Sequence, residues 1–164
     1  MMQRINNAAV LSTPETAEQA AKLAEPLRLP LIQTMANYSL ILQYLPQGLV
    51  LHAPHTLFKK PFYLNFNDKS LQYRAKRWQH EQLLKALGLT KKPKQRVLDL
   101  TAGLGRDSFL IASSGAQVTA CEQNAVIYAL LRDAMQRYQT MHYLDWRLLL
   151  VDGVQYLKHC RQYF

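Results

Sequence analysis

"RVLDLTAGLGRDS", residues 96–108, decides how the rest of this chain is read. An apolar run ends in an acid, Asp99, and enters a turn carrying Gly103 and Gly105 before a polar start to a helix. A strand, a glycine turn and a helix in that order open a βα unit, and open α/β sheets bind their ligands beyond the carboxyl ends of the strands. A dinucleotide-binding loop would carry a third glycine, and Ser108 stands in its place. Downstream the alternation continues. "AQVTACE" (116–122) predicts a second strand, "NAVIYALLRDAMQRYQ" (124–139) a helix with Asn124 as N-cap, "WRLLLV" (146–151) a third strand, and "DGVQYLKHCRQYF" (152–164) the start of a further helix. Apolar strands separated by helices predict a parallel sheet with right-handed crossovers, an α/β Rossmann-like half over residues 94–164.

Upstream, residues 1–93 predict a small α+β domain. "AAVLS" is strand-like, and "TPETAEQAAKLAEPL" (13–27) opens with Thr13 as N-cap and Pro14 at the first helical position, predicting a helix up to Pro26. "SLILQYL", "LVLHA" and "PFYLNF", the first two divided by the turn "PQG", predict an antiparallel meander over 39–66. "DKSLQYRAKRWQHEQLLKALG" (68–88) reads as one amphipathic helix with a basic polar face and Gly88 as its C-cap. "TKKPK" (90–94) is the expected linker, which puts the domain boundary at 93/94.

The chain has 164 residues, 49% of them hydrophobic, enough to bury a core. Lys and Arg outnumber Asp and Glu 20 to 11, a formal charge of +9. Such a balance favours polyanionic partners, nucleic acid first. The exposed cations expected to meet RNA phosphates are Arg74, Lys76, Arg77, Lys91, Lys92 and Lys94. Cys121 and Cys160 have no metal-type spacing and read as reduced thiols, so no metal is expected. No signal-peptide pattern and no run of eighteen apolar residues occurs, which predicts a cytoplasmic protein without membrane association.

The glycine loop has two further acids in register with it. Asp99 lies four residues before Gly103, and Glu122 closes the next strand, 17 residues after Gly105. An acid there is placed to accept hydrogen bonds from a ribose diol, which points to a nucleoside. A pyrophosphate is disfavoured by Asp99 and Asp107 around the loop and by the missing third glycine. A ligand with an adenosine, no phosphate and a cationic ammonium end suits these acids, and S-adenosylmethionine is such a ligand. Asp152, just past the third strand, is then expected near the adenine amino group, with Gly153 leaving room for the base.

Residues 97–135, above all the run Thr101-Ala102-Gly103-Leu104-Gly105-Arg106-Asp107, resemble the ribosomal RNA small-subunit methyltransferase J family. The resemblance implies a class I S-adenosylmethionine-dependent methyltransferase fold and methylation of the exocyclic N2 of a guanosine in 16S rRNA, with the small ribosomal subunit as partner. By position it also implies Arg106 and Asp107 at the cofactor, Glu122 and Gln123 along its adenosine, and Asp152 with Gly153 near the base. Two departures stand out. "WQHEQ" replaces a glycine-rich stretch, and the family's Asp-Pro motif after a fourth strand has no counterpart, so no catalytic residue is assigned. Three strands where such a sheet needs about six predict a C-terminally incomplete enzyme with little activity alone. A small-molecule methyltransferase and a non-catalytic RNA-binding remnant are the rival readings.

Overall fold

The computed structural model describes residues 7–35, 38–53 and 59–160. The chain divides into two compact units that part between Leu64 and Asn65. In the first, β1 (Ala8–Leu11) is followed by a 3-10 turn (Pro14–Thr16), α1 (Ala17–Leu27), β2 (Leu31–Ile32), β3 (Leu40–Leu45), β4 (Gly48–His52) and β5 (Phe62–Tyr63). The sheet order among the described residues is β2-β1-β3-β4-β5. β3, β4 and β5 are antiparallel, as the alternating segments predict, whereas β1 lies parallel to both β2 and β3. β1 is buried along its whole length, and an uninterrupted apolar strand is what an interior position in a sheet demands. α1 continues one residue past Pro26 and ends where Arg28 turns left-handed, φ 54°.

The second unit contains α2 (Lys69–Lys76), a 3-10 turn (Trp78–His80), α3 (Gln82–Ala86), β6 (Arg96–Asp99), α4 (Arg106–Ser113), β7 (Gln117–Glu122), α5 (Ala125–Gln139), β8 (Trp146–Leu150) and α6 (Gly153–His159). β6, β7 and β8 form a parallel sheet in that order, with Asp99 paired to Ala120 and Glu122 to Leu150. Asn124 caps α5 as expected, accepting from the N–H groups of Val126 and Ile127. Gly115, φ 92°, closes α4.

Residues 68–88 do not form one helix. Leu71 and Ala75 are buried on α2 and Leu84 on α3. Ala75 and Leu84 are nine residues apart, which at about 100° per residue is half a turn out of phase. A straight helix could not bury both, and the break at residues 77–81 turns the second apolar stripe back to the core. The boundary expected at 93/94 falls inside the second unit for a related reason. Phe66, 1% exposed, stacks on Phe109 of α4 with ring centroids 4.9 Å apart and meets Trp146 of β8 edge-on at 5.3 Å. Tyr138 completes this aromatic cluster against Phe109 at 5.0 Å. The segment leading into the basic helix is thus core to the α/β unit, and the charged stretch 90–94 is a surface connection within it.

Candidate functional site

The carboxyl ends of β6, β7 and β8 converge on two neighbouring cavities that meet at Leu100 and Thr101. The smaller, about 330 Å³, is bounded by Gly103, Glu122, Gln123, Asp152 and Gly153. The larger, about 640 Å³, is bounded by Asp99, Arg106 and Asp107 together with apolar residues including Leu83, Leu87 and Leu98. The candidate residues are therefore gathered at one end of the sheet but divided between two spaces. Arg106 and Asp107 stand beside Asp99 in the larger cavity and do not border the smaller one.

Hydrogen bonding explains what the loop can receive. Glu122, 8% exposed, accepts from Gly103 N–H through Oε2 at 2.9 Å and from Asn124 N–H through Oε1 at 2.7 Å. Thr101 N–H donates to Asp99 Oδ1, Ala102 N–H to the Cys121 carbonyl and Gly105 N–H to the Ala102 carbonyl. A phosphate-binding loop offers these same N–H groups to its ligand. Here the donors at 101, 102, 103 and 105 are committed within the protein, one of them to a buried carboxylate. A diphosphate at these positions would meet a carboxylate and donors already engaged. Each carboxylate oxygen retains a lone pair, so the acids of the site can still accept hydrogen bonds from a ligand that brings its own donors, such as a ribose diol or an ammonium.

Ser108, the residue in place of a third glycine, is completely buried, and its Oγ donates to Asp99 Oδ2 at 2.5 Å. With Thr101 N–H on the other oxygen, the Asp99 carboxylate, which lines the larger cavity, is held from both sides. In the sequence Ser108 registers only as a missing glycine. The available signal was a small hydroxyl residue in the first turn of a helix that begins just after a strand-end acid.

The three glycines of the site differ in what they face. Gly103, φ 53°, faces open space, and an added Cβ would have nothing nearer than the Thr101 carbonyl at 4.0 Å. It borders the smaller cavity, where a side chain would project into open space. Gly105, φ 69°, faces inward: a Cβ there would overlap Leu131 Cδ1 and lie 3.1 Å from the Trp146 ring. It is a packing glycine that lets α4 start against the aromatic cluster. Gly153 is likewise a close-approach position, because a Cβ would fall on the Leu100 carbonyl and 2.8 Å from Leu100 Cα. It brings the start of α6 against the end of β6 and also lines the smaller cavity. Asp152 caps α6, accepting from Gln155 N–H at 3.0 Å, while remaining on the wall of the smaller cavity.

Two further groups are assigned by their surroundings. Cys121, on the floor of the smaller cavity, is fully buried, and burial, with Asp99 and Cys160 nearby, pushes its thiol up to about 11. It stays protonated at neutral pH and is no nucleophile. No group of three or more metal-ligating side chains occurs among the described residues. Of the basic residues, Lys76, Arg77, Lys91, Lys92 and Lys94 are exposed. Arg74 is not a free cation: it holds Glu81 with both Nε (3.0 Å) and Nη2 (2.7 Å). That hydrogen bond, the larger influence, raises the guanidinium's pKa and lowers that of the Glu81 carboxyl.

A parallel sheet with a nucleoside-sized cavity at its carboxyl end, acids in place of phosphate-binding donors, and a left-handed glycine open to that cavity define an α/β protein of the S-adenosylmethionine-dependent methyltransferase class. The family model of SAM-dependent methyltransferases matches residues 22–163. The ribosomal RNA small subunit methyltransferase J of Coxiella burnetii (strain Dugway 5J108-111) is 35% identical over 159 residues, covering 93% of this chain and 63% of the relative. The enzyme of the same name from Alkalilimnicola ehrlichii is 36% identical over 154 residues, 90% of this chain and 58% of the relative. The crystal structure of a SAM-dependent methyltransferase from Neisseria gonorrhoeae superposes with a TM-score of 0.70 at 21% identity, over 93% of this chain and 63% of that one. The chain belongs to the family of SAM-dependent methyltransferases and has a class I methyltransferase fold, and it spans less than two thirds of the length of the relatives it matches.

Proposed function

We propose that this chain carries the cofactor-binding part of an S-adenosylmethionine-dependent methyltransferase acting on small-subunit ribosomal RNA in the cytoplasm, with the exocyclic N2 of a guanosine as acceptor. The commitment of the loop N–H groups to the protein itself, with Glu122 buried between Gly103 and Asn124, carries the reading. It turns the loop from a phosphate cradle into a cluster of acceptors. The name shared by the relatives supports the RNA substrate, and the +9 charge agrees with it.

S-adenosylmethionine would supply an electrophilic methyl on a sulfonium. The protein's own part is positioning, which can account for most of the barrier lowering in a direct transfer between two held reactants. Glu122 and Gln123 would hold the ribose side, and Asp152 would accept from the adenine amino group. Asp99, fixed by Ser108 and Thr101, would meet the cationic aminoacyl end with Asp107 beside it, and Arg106 would stand at the carboxylate. The exposed Lys76, Arg77, Lys91, Lys92 and Lys94 would neutralise RNA phosphates without reading sequence.

Calorimetric titration with S-adenosylmethionine and, separately, with NAD tests the assignment. We expect saturable binding of the first, weakened by Glu122→Gln, whose amide nitrogen would confront a backbone N–H, and none of the second. Preference for NAD, or binding indifferent to Glu122→Gln, would overturn it.

A further inference from the structure

The exposed side of α2 combines charge with an aromatic ring in a way the cofactor site does not use. Leu71 and Ala75 are buried, whereas Lys69, Tyr73, Lys76 and Arg77 are all exposed and follow one another at helical spacing on the opposite side. Tyr73 is 59% exposed. Arg77 places its guanidinium carbon 5.2 Å from the Tyr73 ring centroid and donates from Nη1 to the phenol oxygen at 2.5 Å. The ring is thus left in water between cations and fixed by one of them, on a helix whose other side is core. Flat rings and guanidinium planes flanked by positive charge are what unpaired nucleic acid bases stack on while the backbone is neutralised alongside. Duplex RNA keeps its bases stacked and offers only phosphates and sugar edges to such a face.

We propose that this face of α2 is a platform for single-stranded RNA, with Tyr73 receiving an unstacked base and Lys69, Lys76 and Arg77 contacting the flanking phosphates. The inference rests on RNA being the substrate. It goes further by naming an unpaired segment as what docks here, and by removing Arg74, tied to Glu81, from the phosphate contacts.

The test uses a fluorescein-labelled single-stranded oligoribonucleotide of about twelve nucleotides and the duplex of the same sequence, titrated by anisotropy at several salt concentrations. Tyr73→Ala should weaken single-strand binding between about fivefold and a hundredfold, the range for one stacked base. It should leave the slope of log affinity against log salt unchanged and barely affect the duplex. Tyr73→Phe should stay within about twofold of the parent, since the ring persists. Lys76→Ala should lower the single-strand slope by about 0.7, one phosphate contact. Equal loss of duplex and single-strand affinity in Tyr73→Ala, or no loss at all, would overturn the proposal. Tyr73 is exposed, so an unchanged thermal midpoint establishes that the variant is folded. Calorimetry with S-adenosylmethionine reads the cofactor site separately: loss of the Tyr73 effect with intact cofactor binding refutes only the platform, and the reverse refutes only the methyltransferase reading.

Discussion

Gly103 and Gly105 belong to one motif two residues apart, yet replacing each by alanine should produce opposite phenotypes. Both have positive φ, 53° and 69°, so both substitutions incur the left-handed penalty of roughly 1–2 kcal/mol. At Gly103 little is added, because the new methyl faces open space. At Gly105 the methyl must displace Leu131 Cδ1 and press on Trp146 at 3.1 Å. Overpacking of that kind costs about 1–3 kcal/mol, which brings the total for Gly105→Ala to roughly 2–5 kcal/mol. Urea denaturation followed by circular dichroism measures the difference, and calorimetry with S-adenosylmethionine measures binding on whatever remains folded. Gly105→Ala should be the less stable of the two by about 1–3 kcal/mol, its binding defect following the unfolded fraction. Gly103→Ala should stay folded and lose affinity. Equal midpoints, or a Gly105→Ala protein as stable as the parent, would refute the division between a packing glycine and a ligand-facing one.

Phe66→Ala should destabilise the second unit by about 3–5 kcal/mol, seen in the same denaturation assay, because it removes the ring stacked on Phe109. Glu81→Gln should flatten the acid limb of stability: hydrogen bonding to Arg74 lowers the folded pKa below its ordinary 4.5. The pair's contribution is therefore present above about pH 4.5 and lost as pH falls through the folded value. Because Arg74 is 43% exposed, the difference should not exceed about 1 kcal/mol, and pH-dependent melting would detect it. Cys121, with its thiol near 11 and no exposed surface, should resist iodoacetamide at pH 7.5 in the folded protein and react on unfolding, while Cys160 reacts first. Mass spectrometry of the alkylated peptides distinguishes the two.

The parallel sheet was legible because its strands are short apolar runs bounded by glycine and polar turns, and Asn124 announced α5 through a side chain that caps locally. Glu122 and Gly103 were legible because strand ends in a βα sheet have fixed places. The break in residues 68–88 was recoverable only from the phase of Ala75 against Leu84, which matters once both are known to be buried. The functions of Gly105 and Gly153 depend on what lies across from them, Leu131 and Trp146 in one case and the Leu100 backbone in the other, and those partners are distant in sequence. Phe66 was hidden similarly, since a phenylalanine after a short strand gives no sign that it fills the next unit's core. Arg74 looked like its cationic neighbours until Glu81 was found beside it.

The Phe66–Phe109 stack ties together the start of the proposed RNA platform and the start of the proposed cofactor loop. Phe66 leads into α2 two residues before its cap Asp68, and Phe109 lies in the first turn of α4, directly after the glycine loop. Whatever displaces one ring relative to the other is therefore felt at both ends. If both proposed ligands bind, thermodynamic reciprocity requires that the factor by which RNA on α2 changes affinity at the loop equal the factor by which a ligand at the loop changes affinity for RNA.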